Sequence, residues 1–370
     1  SVMNRRLFCS MLPVAPSALA ADPASVDYRR IATRILQPLK LHRGERVLAR
    51  FDPEYFAELV PLLRKSVRSA GAVWLEPLRA ATPVSAASVE RVDVFLRLPL
   101  GTSARALDPA EERHLVDWVD KGGTRRELHF HWSDGTRHPD GLPAVHPPEF
   151  DALYMRALNI DHQALRAVQD RAIRVLRMGT VRIQSPNGTD VMFRIAKRPF
   201  NVQDGDASAE RVQAARVRVD RHIELPAGVV RVAPVEDSAF GSIGLPEARF
   251  GDTVAKGVVI LLDNGRVTGV RAKEGLDAVK AALAAGGDAA MRFREFGLGC
   301  NPALAVPEGS GLIPYYGYGA GVVRLSLGDN EELGGKVRGG FVRWFFLPDT
   351  TLHVDFRYLV RNGKLTVPET

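Results

Sequence analysis

Hydrophobic positions in the first half of the chain alternate between helical and strand periodicity. Val26, Ile31, Ile35, Leu36 and Leu39 fall at helical spacing over residues 26–41, Gly44 closes that run, and Val47-Leu48-Ala49 reads as a strand. A helix over 55–70 and a strand at Val73-Trp74-Leu75 follow. Residues 92–100 form a continuous apolar run of the buried-strand type, followed by a helix over 110–119 and a strand over 127–132. Helices alternating with apolar strands at this spacing predict an α/β domain with a doubly wound parallel sheet. No glycine fingerprint follows the first strand, which argues against a dinucleotide.

The pattern then changes. Residues 133–149 are punctuated by proline and glycine and read as a loop, and a long helix is predicted over residues 150–178. Strands dominate beyond it, at 181–185, 191–195 and 229–232. The segments 258–262 and 267–270 flank Asn264-Gly265, the strongest short hairpin signal in the chain. A helix over 275–285 leads toward Glu295. The second half therefore reads as an α+β domain with a curved, largely antiparallel sheet. The expected division is a leader at 1–22, an α/β domain at 23–175 and a second domain at 176–370.

Charge and composition narrow the functional classes. Lys and Arg number 50 against 43 Asp and Glu, a net charge of +7, and both signs are interspersed. There is no basic stripe with interleaved aromatics, so nucleic acid is not an expected partner. No apolar run reaches the roughly 18 residues of a spanning helix, so no membrane span is expected once a leader is removed. Arg5-Arg6-Leu7-Phe8, the weakly apolar stretch to Leu19 and the Ala18-Leu19-Ala20 cleavage pattern read as an export signal, with a twin-arginine character. The expected location is periplasmic or secreted. Cys9 would leave with that leader, and the remaining Cys300 reads as a small buried residue rather than a nucleophile.

Candidate chemistry concentrates in a few segments. His129 and His131 flank Phe130 on one strand and so share a face. Two histidines so placed can ligate a metal, although strand histidines beside a polar loop are more often exposed or simply hydrogen-bonded. His353 and Asp355 repeat the same spacing near the C-terminus. Glu295 opens the segment Glu295-Phe-Gly-Leu-Gly-Cys-Asn-Pro302, which sets a carboxylate just before two glycines and an asparagine. Tyr315, Tyr316 and Tyr318 lie among glycines ahead of Val323-Arg324, where they can line a pocket or simply pack.

The order of these segments resembles the M29 family of metallo-aminopeptidases, from about residue 26 to the C-terminus. The marks are the Gly188-Thr189-Asp190 turn, Leu225-Pro-Ala-Gly-Val-Val (family LPxGEV), the Glu295–Pro302 segment (family GExGxGxNP), Val323-Arg-Leu-Ser-Leu-Gly328 ahead of Gly334-Gly335 (family HxALG and GG), and a terminal strand pair. The resemblance implies hydrolysis of N-terminal peptide bonds, a homodimer, and two divalent metals held by two Glu, two His and an Asp, the last pair as HxD. Carried over residue by residue, the first Glu falls on Val229, the second on Glu295, and the first His on Arg324.

The HxD pair admits two registers. One uses His353 and Asp355, which leaves Glu295, His353 and Asp355 as a single-metal set suited to Zn, Co or Fe and similar to the related 2,5-dihydroxypyridine dioxygenases. In the other register, preferred because it needs no gap, the pair becomes Phe341 and Arg343. Arginine cannot ligate a metal, so this register implies no metal at all. It leaves either a dead hydrolase or a site where Arg324, Arg343, Glu295 and Tyr318 hold a carboxylate-bearing small molecule or a peptide.

Overall fold

The computed structural model describes residues 26–369; the export-signal reading and Cys9 lie outside the described residues. In chain order the strands are β1 (Arg46–Phe51), β2 (Val73–Trp74), β3 (Leu78–Arg79), β4 (Val94–Arg97), β5 (Arg126–Phe130), β6 (Thr180–Gln184), β7 (Asp190–Arg194), β8 (Asn201–Val202), β9 (His222–Leu225), β10 (Val229–Val232), β11 (Phe240–Phe250), β12 (Thr253–Asp263), β13 (Arg266–Arg271), β14 (Phe293–Gly299), β15 (Val323–Gly328), β16 (Val342–Leu347), β17 (Thr351–Val354), β18 (Arg357–Arg361) and β19 (Lys364–Leu365). The helices that matter below are α1 (Tyr28–Leu36), α2 (Leu59–Ser69), α3 (Ala86–Val89), α4 (Pro109–Asp120), α5 (Phe150–Leu158) and α6 (His162–Leu176).

The predicted parallel sheet is present, in the order β2-β1-β4-β5-β9 with β3 alongside β1. It is doubly wound. On β1 and β4, Val47, Ala49, Val94 and Leu96 pack into the same core as Ile31, Ile35, Leu59 and Leu63 of α1 and α2. Leu48 and Phe95 point the other way, onto Leu115 and Trp118 of α4. Trp118 is buried and still satisfies its indole N–H, which donates to the Val92 carbonyl at 2.9 Å.

The second half is antiparallel, as expected, but forms two sheets rather than one. A five-stranded sheet runs β16-β15-β14-β10-β8, and an eight-stranded sheet runs β13-β12-β11-β7-β6-β17-β18-β19. The Asn264-Gly265 hairpin forms with φ of 49° and 73°, the left-handed pair that a two-residue turn of this hand requires.

Two expectations change in detail. The helix over 150–178 is two helices, α5 and α6. The first run ends at Leu158 with Asn159 as its cap, and Asp161, with an extended backbone, accepts from the amides of Gln163 and Ala164 and so starts a new helix. The parallel sheet also takes its last strand, β9, from beyond residue 175. The chain returns to the first domain at His222–Leu225, then passes through a cis Leu225-Pro226 bond straight into β10 of the five-stranded sheet. That return links the parallel sheet directly to the five-stranded sheet. No described helix is long and apolar enough to cross a membrane.

Candidate functional site

Glu295 sits on β14 and is fully buried. Its neighbours on the same sheet face follow from strand register. Arg231 of β10 lies opposite Gly297, and Arg324 of β15 lies opposite the same glycine from the other side. The missing side chain at Gly297 leaves room for both: a Cβ there would lie 3.3 Å from Arg324 and 3.4 Å from Glu295. A bulge between Phe293 and Glu295 then brings the adjacent Arg294 side chain to the same carboxylate.

Three guanidiniums therefore converge on one carboxylate. Arg231 donates to both oxygens, at 3.0 and 2.9 Å, in the fork geometry that arginine favours with carboxylates. Arg294 donates to Oε2, and Arg324 Nη2 lies 3.4 Å from Oε1. Glu332 supplies the second acid, accepting from Arg294 at 2.6 Å and Arg231 at 3.3 Å, and forms the partly exposed edge of the cluster. Burial alone would raise the Glu295 carboxyl. The charges of Arg231, Arg324 and Arg294 overcome it and hold the group down at about 2.

Arg324 differs from the other two arginines. It is 3 % exposed, and neither Nε nor Nη1 has a hydrogen-bond partner. Its guanidinium instead stands among the rings of Tyr318, Phe346 and Trp344, 5.4, 5.7 and 5.8 Å from their centres. The cluster thus holds a buried cation with two donors unspent.

Tyr318 joins this cluster to a second one. Its hydroxyl donates to Oε2 of Glu224 on β9. Burial and the Glu224 charge push the phenol well above its ordinary range, so it stays protonated and remains a donor. Around Glu224, the parallel pairing of β5 and β9 sets Glu127 beside His222 and His129 beside Glu224, all on one sheet face. His222 Nδ1 lies 3.3 Å from Glu127 and its Nε2 lies 3.2 Å from Glu224. His129 and His131 share that face as the sequence predicts, with their rings stacked at 3.5 Å. His131 Nδ1 is 3.1 Å from Asp134. Among the described residues, two groups have ligand atoms close enough for one metal: Glu127, His129 and His222, and His129, His131 and Asp134.

The residues expected from the sequence do not all meet. Glu295, Arg324 and Tyr318 come together. Arg343 does not join them: on β16 it pairs with Leu327, one residue out of step with Arg324 and Ser326, so it leaves the sheet on the opposite face. There it stands 4.5 Å over Phe250 and donates to the carbonyls of Asp140 and Arg249. His353 and Asp355 lie at the end of β17 in the eight-stranded sheet, where His353 Nδ1 is 2.7 Å from the Asp355 carbonyl in a local turn. Glu295, His353 and Asp355 are not among the groups close enough to share an ion. Cys300 is buried and free, and burial pushes its thiol up to about 12, which fits a packing role.

Two solved structures share this fold. A 2,5-dihydroxypyridine dioxygenase from Pseudomonas putida KT2440 superposes with a TM-score of 0.61 at 16% identity, over 92% of this chain and 97% of that one. AmpT from Thermus thermophilus superposes with a TM-score of 0.58 at 17% identity, over 92% of this chain and 98% of that one. No family model and no curated protein matches the sequence. The likeness extends over nearly the whole chain and supports the M29-type fold that the segment order implied. It stands equally beside a dioxygenase, so it carries the fold and not the reaction.

The metal pair implied by the M29 resemblance does not fit these residues. Val229, at the first glutamate's position, is an apolar core residue, and Arg324 replaces the histidine. The one retained carboxylate, Glu295, has both oxygens committed to guanidiniums. A dication placed there would face three fixed positive charges.

Proposed function

We propose that this protein binds a small carboxylate-bearing molecule, or a peptide through a carboxylate, and does not hydrolyse peptides with a metal at Glu295. The observation that carries this reading is Arg324: a buried guanidinium with two unpartnered donors, walled by aromatic rings and fixed in place by Glu295. A carboxylate would complete it, since planar paired acceptors match the arginine fork better than water or a halide does. Glu332, at the partly exposed edge of the cluster, neutralises Arg231 and Arg294 rather than Arg324, so Arg324 is the arginine left to an incoming acid. The aromatic walls favour acids with an apolar or ring-bearing body. The leader-like N-terminal segment adds an exported setting to this reading.

A thermal-shift screen of small carboxylic acids against their amides tests it. Acids should raise the melting temperature of the natural protein in a concentration-dependent way, amides should not, and Arg324→Ala should abolish the difference. Metal-dependent aminopeptidase activity removed by Glu295→Gln would overturn the reading.

A further inference from the structure

We infer that Glu127, His129 and His222 form a divalent transition-metal site on the parallel sheet, separate from the position where the M29 resemblance places metal. Glu127 and His222 are direct partners across β5 and β9, and His129 follows Glu127 at the spacing that keeps it on the same face. Their ligand atoms lie within 4.8 Å of one another. His222 Nδ1 and Glu127 Oε2 are 3.3 Å apart, which matches the separation of roughly 3.3 Å between two ligands about 2.05 Å from a tetrahedral ion.

The outer contacts carry the inference further. A metal-binding imidazole is ordinarily oriented by a carboxylate on its other nitrogen. His222 has this arrangement: Nε2 faces Glu224 Oε1 at 3.2 Å, which directs Nδ1 toward Glu127. Glu224 is itself fixed through its second oxygen by the Tyr318 hydroxyl. Glu127 is oriented in the same way. Arg97 pairs with its Oε1, leaving Oε2 toward His222, and Arg97 is anchored in turn by both oxygens of Glu112 at 2.8 and 2.9 Å. Each of these two ligands thus has one atom held from behind and the other turned to a shared point.

His131 supplies an independent observation. Its side chain is only 4% exposed, its Nδ1 is held by Asp134, and its Nε2 stops 3.7 Å short of Glu224 without a hydrogen bond. Its ring is stacked at 3.5 Å on that of His129, which steadies His129 on the sheet face it shares with Glu127 and His222. Three protein ligands of the imidazole and carboxylate type suit Zn²⁺, Co²⁺ or Fe²⁺ and leave coordination positions for water or a ligand atom.

The test is a titration of full-length, tag-free, chelator-stripped protein with ZnCl₂ by calorimetry, and with CoCl₂ followed by visible absorption. One ion should bind per chain, and Co²⁺ should give the intense bands of a low-coordinate site. His222→Asn and His129→Asn should each weaken binding by roughly 100-fold or more, and Glu224→Gln, which only orients His222, by about 10- to 100-fold. His353→Ala should leave the affinity unchanged. Circular dichroism and melting curves of each variant separate a lost ligand from a lost fold. The Glu224→Gln series remains informative if the histidine variants do not fold. No stoichiometric ion in the natural protein, or an ion lost with His353→Ala but kept in His222→Asn, overturns the inference. Arg324→Ala should keep the metal and lose the carboxylate, so the two sites fail or stand separately.

Discussion

The face of β10, β14 and β15 and the face of β5 and β9 are built alike and read as opposites. Each places charged side chains in register on neighbouring strands, each is largely closed to solvent, and Tyr318 touches both. On the first face the bases are arginines, which stay charged under any ordinary condition and tie up the one retained carboxylate. On the second they are mainly imidazoles, a residue type that can ligate a metal, beside carboxylates turned toward them, with Arg97 holding one oxygen of Glu127 from behind. The same architecture thus rejects a cation in one place and invites one in the other. Ligand preference here is set by which base occupies a strand position, while the fold is common to both.

The sharpest way to break the comparison is to remove the carboxylate that the arginines share. Glu295→Gln leaves buried guanidiniums without their counter-charge, and a loss of about 3–5 kcal/mol in urea-denaturation stability is expected. A loss below about 1 kcal/mol would mean that the arginines are not organised by Glu295.

The same pair predicts a pH dependence. The Glu295 carboxyl is held at about 2 in the folded protein, against an ordinary 4.5, so its contribution is complete above about pH 4.5 and is lost as the pH falls toward 2. That difference corresponds to roughly 3 kcal/mol of stability disappearing across this acid range. Denaturation curves at stepped pH should show a shallower acid limb in Glu295→Gln than in the natural protein.

Next in size is the ligand-facing arginine. Arg324→Ala should weaken carboxylate binding by about 30-fold or more, equivalent to about 2 kcal/mol for a buried charge-assisted contact, as read by calorimetry. Its effect on folding should be smaller than that of Glu295→Gln, because its contact with Glu295 is the longest of the three.

The smallest effect belongs to the residue on the wrong face. Arg343→Ala removes two hydrogen bonds to the Asp140 and Arg249 carbonyls and should cost about 1–2 kcal/mol of stability. Carboxylate affinity should not change. If it did, the opposite-face assignment of Arg343 would be incorrect.

The sequence exposed the architecture more readily than the sites. Short apolar runs located β1, β4 and β5, and the Asn264-Gly265 dipeptide located its hairpin, because those signals are local. Glu295 and Arg324 stood out through their place in a recognisable segment order. Arg231, Arg294 and Glu332 did not, since cross-strand neighbours lie far apart in the chain and the bulge that turns Arg294 inward has no composition signal. Arg343 was misplaced for a related reason: a segment order does not say which face of a strand a side chain leaves by. His129 and His131 were legible as a same-face pair. Their partner strand was not, because β9 is four residues long and pairs with β5 across nearly a hundred residues of chain. The short His222-Ile-Glu224 alternation, two polar positions around an isoleucine, was the available hint.

The most direct test of the central claim is a calorimetric titration of the natural protein with the best acid from the carboxylate screen, carried out with and without excess chelator. One acid per chain should bind saturably, indifferent to chelation, and about 30-fold or more weaker in Arg324→Ala. Binding that disappears with the chelator yet survives undiminished in Arg324→Ala would contradict that claim.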